Sequence, residues 1–279
     1  MVSGLPDGAG VRDYAYLRTI DRAGIMWEWL RRDPAYIGWD LRASSATGGT
    51  PPVPLRWRVW LAEDPALPAP EARILWRADL DPGTLRVRAQ PSGPRDPRGL
   101  PLHHLRDWLA VAIGSDGHEH AVLSNGLQHL RLDVEAGSLR EGPVLLHYGH
   151  PSRRSWEAGL IAMRRLMALC AERRFPAELF PPEPHPDRWI ELLRVSDALR
   201  CGASQRDLAE MLFGCERARA EWQGPSDSLR SRVRRLVHQV RGLAGGGYRK
   251  LMREDAALRY LSKRPDAKRS PACLFRIGL

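Results

Sequence analysis

LRCGASQRDLAEMLFG, residues 199–214, reads as a helix end, a turn and a second helix, and SDSLRSRVRRLVHQVRGLAGGGY, residues 226–248, reads as a third. In the first string Gly202 closes one helix and Ser204 opens the next. Asp207 stands three residues later, an approximate capping box in which Asp replaces the usual Glu. Leu208, Met211 and Leu212 give this helix an apolar face. Ala209 falls where a crossing helix demands a small residue, and Phe213-Gly214 breaks the helix with a residue able to take positive φ. In the second string Ser226 is the expected cap. Leu229, Val233, Leu236, Val237, Val240 and Leu243 share one face, and Gly245 to Gly247 stop the helix.

A second face of the same helix is cationic. Arg230, Arg234, His238 and Arg241 follow each other at helical spacing, with Arg232 and Arg235 beside them. An apolar stripe beside a cationic one suits a helix that packs on its own domain and lies against a duplex groove. An arginine run alone is ordinarily a solvated face. The capped helix upstream is what favours a helix-turn-helix. The DNA-contacting set expected on this reading is Ser204, Gln205, Arg206, Arg230, Arg232, Arg234, Arg235, His238, Arg241, Arg249 and Lys250. The spacing departs from the compact motif: about eleven residues separate the break from the arginine helix, where three or four are usual. Either residues 216–222 form a short intervening helix, or that helix is itself the reading element.

Charge supports the same segment. The chain has 279 residues and a formal net charge of +10. Residues 185–279 hold 20 Lys+Arg against 11 Asp+Glu, whereas residues 1–184 hold 23 against 22. Such asymmetry points to a polyanion. A membrane surface is the rival, but no basic segment adjoins a lipid anchor or apolar span. There is no run long enough for a transmembrane helix, and MVSGLPDGAG lacks the features of a signal peptide. Cys170, Cys201, Cys215 and Cys273 form no C-x-x-C pair. Reduced thiols in a cytoplasmic protein are the expectation.

Upstream, helices are expected over 11–43, with Asp13 as a cap and MWEWLRRD ending before Pro34. SSATGGTPPVP (44–54) reads as a linker. Strands are expected at 57–62, 72–78, 84–89, 119–124, 128–134 and 142–148, with Asn125-Gly126 as a hairpin turn and a helix over 101–112. Trp156, Leu160, Met163, Met167 and Cys170 mark a helix over 153–173. FPAELFPPEPHP (175–186) is a connector.

Trp27, Trp29, Arg31, Arg32 and Tyr36 form a second cluster of interest. Trp, Tyr and Arg are enriched where partners dock. The competing reading has Trp27 and Leu30 fastening the helix to the middle domain. The N-terminal helices are expected to be dispensable for DNA binding. His118-x-His120 could be a metal pair on one strand face, but a structural zinc wants four ligands. A solvent-facing strand accounts for it better, and no metal or cofactor is expected. Nucleophile elbow, phosphate loop and spaced carboxylate pair are all missing, so no enzyme is expected.

The stretch RWIELLRVSDALRCGASQRDLAEMLFG (188–214) with SDSLRSRVRRLVHQVRGLAGGGYRKLM (226–252) resembles the C-terminal domain of a family of proteobacterial regulators. Its best-known members are the FseA-type activators of excision and transfer of integrative and conjugative elements. DYAYLRTIDRAGIMWEWLRRDPAY (13–36) is similar to the short domain at the front of those activators. The resemblance implies control of an excisionase gene and conjugative transfer, and small antiactivators that sequester the activator. In some such elements ribosomal frameshifting joins the two halves, which here share one chain.

The expected architecture is α+β. A helical element (1–45) precedes a strand-rich middle domain (46–150), a helix and connector (151–184), an all-helical helix-turn-helix-like DNA-binding domain (185–262) and a basic tail (263–279). The expected partners are promoter DNA, RNA polymerase and a small antiactivator, with no membrane. Two other readings remain: an antiactivator or interaction module using the same helices, and a replication or partition protein of a mobile element.

Overall fold

Two large apolar clusters and a small third one of Leu75, Ala112 and Val122 organise the described residues, and they do not follow the chain's linear order. The computed structural model describes residues 11–44, 52–93, 95–114, 116–140, 142–149, 156–181, 183–222 and 228–254. The fold is α+β, with helices towards both ends and a five-stranded sheet between them.

The sheet is built from β1 (Leu85–Pro91), β2 (Leu109–Ile113), β3 (Glu119–Ser124), β4 (His129–Ala136) and β5 (Val144–Tyr148), in the order β2-β3-β4-β1-β5. β1 and β4 run parallel, and the other pairs are antiparallel. Gly126, at φ +89°, turns β3 into β4, and a Cβ there would lie 2.1 Å from the Pro70 carbonyl oxygen. Only glycine fits both demands. Leu123, Leu130, Leu132 and Val134 face α3 (Trp156–Glu172), whose Ala162, Leu166 and Leu169 complete one core. The opposite face carries Val122 beside Arg131 and His120 beside Asp133. Residues 57–80 cover it.

That cover differs from the expected strands at 57–62 and 72–78. They form one isolated bridge, Val59 to Trp76, with Trp60 N bonded to Leu75 O and Arg77 N to Arg58 O. The helix expected over 101–112 is also corrected: a 3-10 turn (Leu102–Leu105) leads into β2. LAVAI is a short apolar run that suits either element, and pairing with β3 decides it. His120 does not face solvent. It is buried, stacked on Trp60 with ring centroids 3.5 Å apart and bonded through Nδ1 to Asp133 at 2.8 Å.

The second core joins the two ends. A 3-10 helix (Val11–Arg18), α1 (Arg22–Leu30) and α2 (Pro34–Ser44) pack with α4 (Pro186–Arg200), α5 (Gln205–Phe213), α6 (Cys215–Trp222) and α7 (Ser228–Ala244). Tyr14, Trp27, Leu30, Trp76, Leu193, Val233 and Val237 belong to one buried cluster. The cap of α1 is Asp21, which accepts from Gly24 N. The side chain of Asp13, the cap Ser226, the greater part of the 44–54 linker and the tail from 263 lie outside the described residues. Helix resumes at Pro34, which opens α2, where its missing N–H costs nothing.

Every residue of α1 after Arg22 is buried, so the helix has no solvent face. Glu28 within it and Arg32 just past its end are paired internally. Arg32 Nε donates to Asp197 Oδ1 at 2.8 Å, and its other nitrogens reach Glu28 and Asp197 Oδ2. Tyr14 donates to Asp197 at 2.7 Å, and Ala69 N donates to Glu28 at 2.8 Å. Burial pushes the Tyr14 hydroxyl pKa up, and the Asp197 charge adds to it. Burial by itself would lower the Arg32 pKa, but the carboxylates of Glu28 and Asp197 outweigh it and hold the group charged.

Candidate nucleic-acid interface

α4 ends at Arg200, and a four-residue turn containing Gly202 at φ +85° leads to α5. This is the turn length of a compact helix-turn-helix. Ser204 caps α5: its Oγ accepts from Asp207 N at 3.2 Å, and Asp207 Oδ2 accepts from Ser204 N at 2.8 Å. The expected box is present. Those bonds hold the Asp207 carboxyl below the usual carboxylate range, and its charge complements the helix N-terminus. Leu208 and Ala209 are fully buried.

Gly214, at φ +86°, is the only residue between α5 and α6. The gap that departed from the compact spacing is filled by α6, as one of the two alternatives required. α6 buries only Ala218 and exposes Glu216, Arg217, Arg219 and Ala220. Arg217 and Arg219 were not singled out in the sequence. Their signal was weak, because neither lies on an obvious stripe.

α7 buries Leu229, Val233, Val237 and Val240 against the core. Leu236 is half-buried rather than enclosed. Arg232, Arg234, Arg235, His238 and Arg241 are exposed, and Arg230 is half-buried. Arg234, His238 and Arg241 follow at helical spacing and share a face. Beyond α7, Lys250 is exposed, while Arg249 is half-buried against its neighbour Tyr248, 5.2 Å from the ring centroid. At the start of α5, Ser204, Gln205 and Arg206 are exposed.

The cations differ in how far they are already neutralised. Arg206 pairs with Glu210 at 3.3 Å, Arg217 with Glu221 at 2.9 Å and Arg232 with Glu191 at 3.5 Å. Phe213 ties three helices together, with the Arg232 guanidinium 4.7 Å and that of Arg217 5.8 Å from its ring centroid. Arg219, Arg235, Arg241 and Lys250 have no ion pair among the described residues. Unpaired exposed cations on packed helices attract phosphates without first breaking internal pairs.

The residues expected at a partner surface are placed elsewhere. Trp27, Trp29, Arg31, Arg32 and Tyr36 are each at most 3% exposed. Trp27 donates to Leu67 O at 3.0 Å, and Tyr36 stacks edge-on to Trp27 and Trp57. They are core, so as folded they present no surface. The helix docks on α4 and α7 as well as on residues 57–80, and its cap Asp21 bonds His129 at the start of β4.

Residues 10–59 match the model of a proteobacterial transcriptional regulator-like domain. Residues 150–253 match that of a T6SS transcription factor DNA-binding domain. No curated protein matches the chain. The second match covers α3 to α7, the segment that carries the exposed cations. Together the two matches support a DNA-binding transcriptional regulator. No helix among the described residues is long and apolar enough to cross a membrane.

Proposed function

We propose that the chain is a cytoplasmic transcriptional activator that binds promoter DNA through α5, α6 and α7 and controls excisionase and transfer genes of a mobile element. The observation that carries the DNA contact is the exposed Arg219, Arg235 and Arg241 on α6 and α7, which have no ion pair among the described residues. They sit on helices fixed by a common core, in the segment that resembles a transcription-factor DNA-binding domain. The control of excision and transfer rests on the resemblance of 188–214 and 226–252 to the FseA-type activators. RNA polymerase and a small antiactivator are the proposed protein partners, and Trp27 and its neighbours are not their docking site.

Gel shift of the whole protein on its own upstream region tests the DNA contact. Specific retardation that weakens steeply with salt is expected, since each neutralised phosphate releases counterions. Absence of a specific complex at low salt would turn the same helices into a protein-interaction module. A promoter fusion to the neighbouring excisionase gene tests activation. Specific binding without a change in reporter output would favour a replication or partition protein.

A further inference from the structure

We propose that the cleft between the two cores is a binding site for a small organic anion with an apolar body. The cleft is shallow and open at its mouth, with an enclosed volume of about 70 Å³, so a ligand there would lie partly in solvent. Both cores build it: Arg22 at the start of α1, His129 and Arg131 on β4, and Ile161 and Arg165 on α3 line it, with Phe180 from the following connector.

Most of its charges are matched within the protein. Arg22 Nε donates to Glu183 at 2.8 Å, and Arg131 bonds the Trp76 carbonyl and Asp133. Arg165 is different. Its Nε donates to Leu179 O at 2.8 Å, and its guanidinium lies 4.8 Å from the Phe180 ring centroid. No carboxylate pairs with it among the described residues. A guanidinium anchored at Nε and braced on a ring offers its remaining nitrogens to a planar anion as a preformed fork. Ile161 and Phe180 supply apolar wall beside it.

His129 is the second observation. Its ring is 3% exposed, Nδ1 is bonded to Asp21, and Nε2 has no hydrogen-bond partner. A buried ring nitrogen without a partner is costly and calls for one. A ligand with an anionic end for Arg165, an apolar body on Ile161 and Phe180 and a hydrogen-bonding atom for His129 fits this lining, whose far side is Arg22 and Ala23 of α1.

Saturation-transfer NMR on the full chain tests the site with two probes of one shape, benzoate and the cation benzamidine. Benzoate is expected to receive transfer and benzamidine about tenfold less, as the loss of a charge-assisted bond implies. Arg165→Ala and Ile161→Trp are each expected to weaken benzoate by about tenfold or more, with circular dichroism melting confirming that the variants fold. If Arg165→Ala melts early, Arg165→Lys, which keeps charge and stem but loses the fork, serves in its place. Absence of transfer to benzoate, equal transfer to benzamidine, or undiminished transfer in the folded variants would overturn the site. None of these readouts involves DNA, so they stand apart from the regulator reading.

Discussion

Asp197 holds two ends of the chain together through one carboxylate. Arg32 reaches it across 165 positions of sequence and Tyr14 across 183. Asp197→Ala leaves a buried guanidinium with half of its charge partners, and a loss of about 3–5 kcal/mol is expected, measured by urea unfolding. A loss under about 1 kcal/mol, the level of a surface pair, would show that the network is not the clasp described. Asp21 gives a pH prediction. Burial tends to raise its carboxyl, but the charge of His129 and the bonds from His129 and Gly24 prevail, and its pKa lies below the ordinary 3.8. A carboxylate depressed in the folded state stabilises it above the unfolded value, and that contribution vanishes as the pH falls through the folded value. Asp21→Asn is therefore expected to flatten the stability curve below about pH 4, followed by thermal melts from pH 5 to 2. The burial of Trp27, Trp29 and Arg32 was hard to read from sequence, because the composition of a binding hot spot is also that of a core with an internal ion pair. The available hint was local: Arg32 stands four residues after Glu28, the one polar residue between Ala23 and Leu30.

α7 separates folding from binding along one helix. Leu229, at 3% exposed, faces the core, and Leu229→Ala is expected to cost about 2–5 kcal/mol. Half-buried Leu236 should cost less. Arg235→Ala with Arg241→Ala should leave the melting temperature unchanged and weaken DNA binding. It should also lower the salt slope of log K by about 0.9 for each phosphate no longer neutralised. An unchanged slope in the gel shift would remove these two arginines from the interface. Elements with sustained period were legible: α3, α5, α7 and the β3–β4 turn stand near where their patterns place them. β2 was not, because a five-residue apolar run has no period of its own and its partner lies across a loop. The covered face of β4 was missed for a related reason. Arg131 and Asp133 alternate with leucines as solvent-facing residues would, and the irregular segment that buries them announces no strand.

At the scale of the molecule, residues 14–80 and 189–252 make one core and the sheet with α3 makes another between them. The expected separable N-terminal element is thus corrected to half of a shared core. Deleting residues 1–45 should abolish DNA binding by unfolding the C-terminal helices rather than leave it intact. Far-ultraviolet circular dichroism and gel shift of the truncated chain check this, and a folded, DNA-binding truncation would refute it. A core divided in this way also fixes an order of events during synthesis. Trp27, Trp29 and Tyr36 leave the ribosome long before Leu193 and Val233 exist to cover them. Translation at about 5–20 residues per second separates the two halves by several seconds or more, during which the first helices have no finished site to pack on, whereas the sheet between them emerges as one continuous segment. A chain that stops before α7 keeps Leu67, Tyr36 and Trp57 beside Trp27 but lacks the Leu229, Val233 and Val237 side of the same cluster. The shared cluster is therefore finished only when α7 has been made.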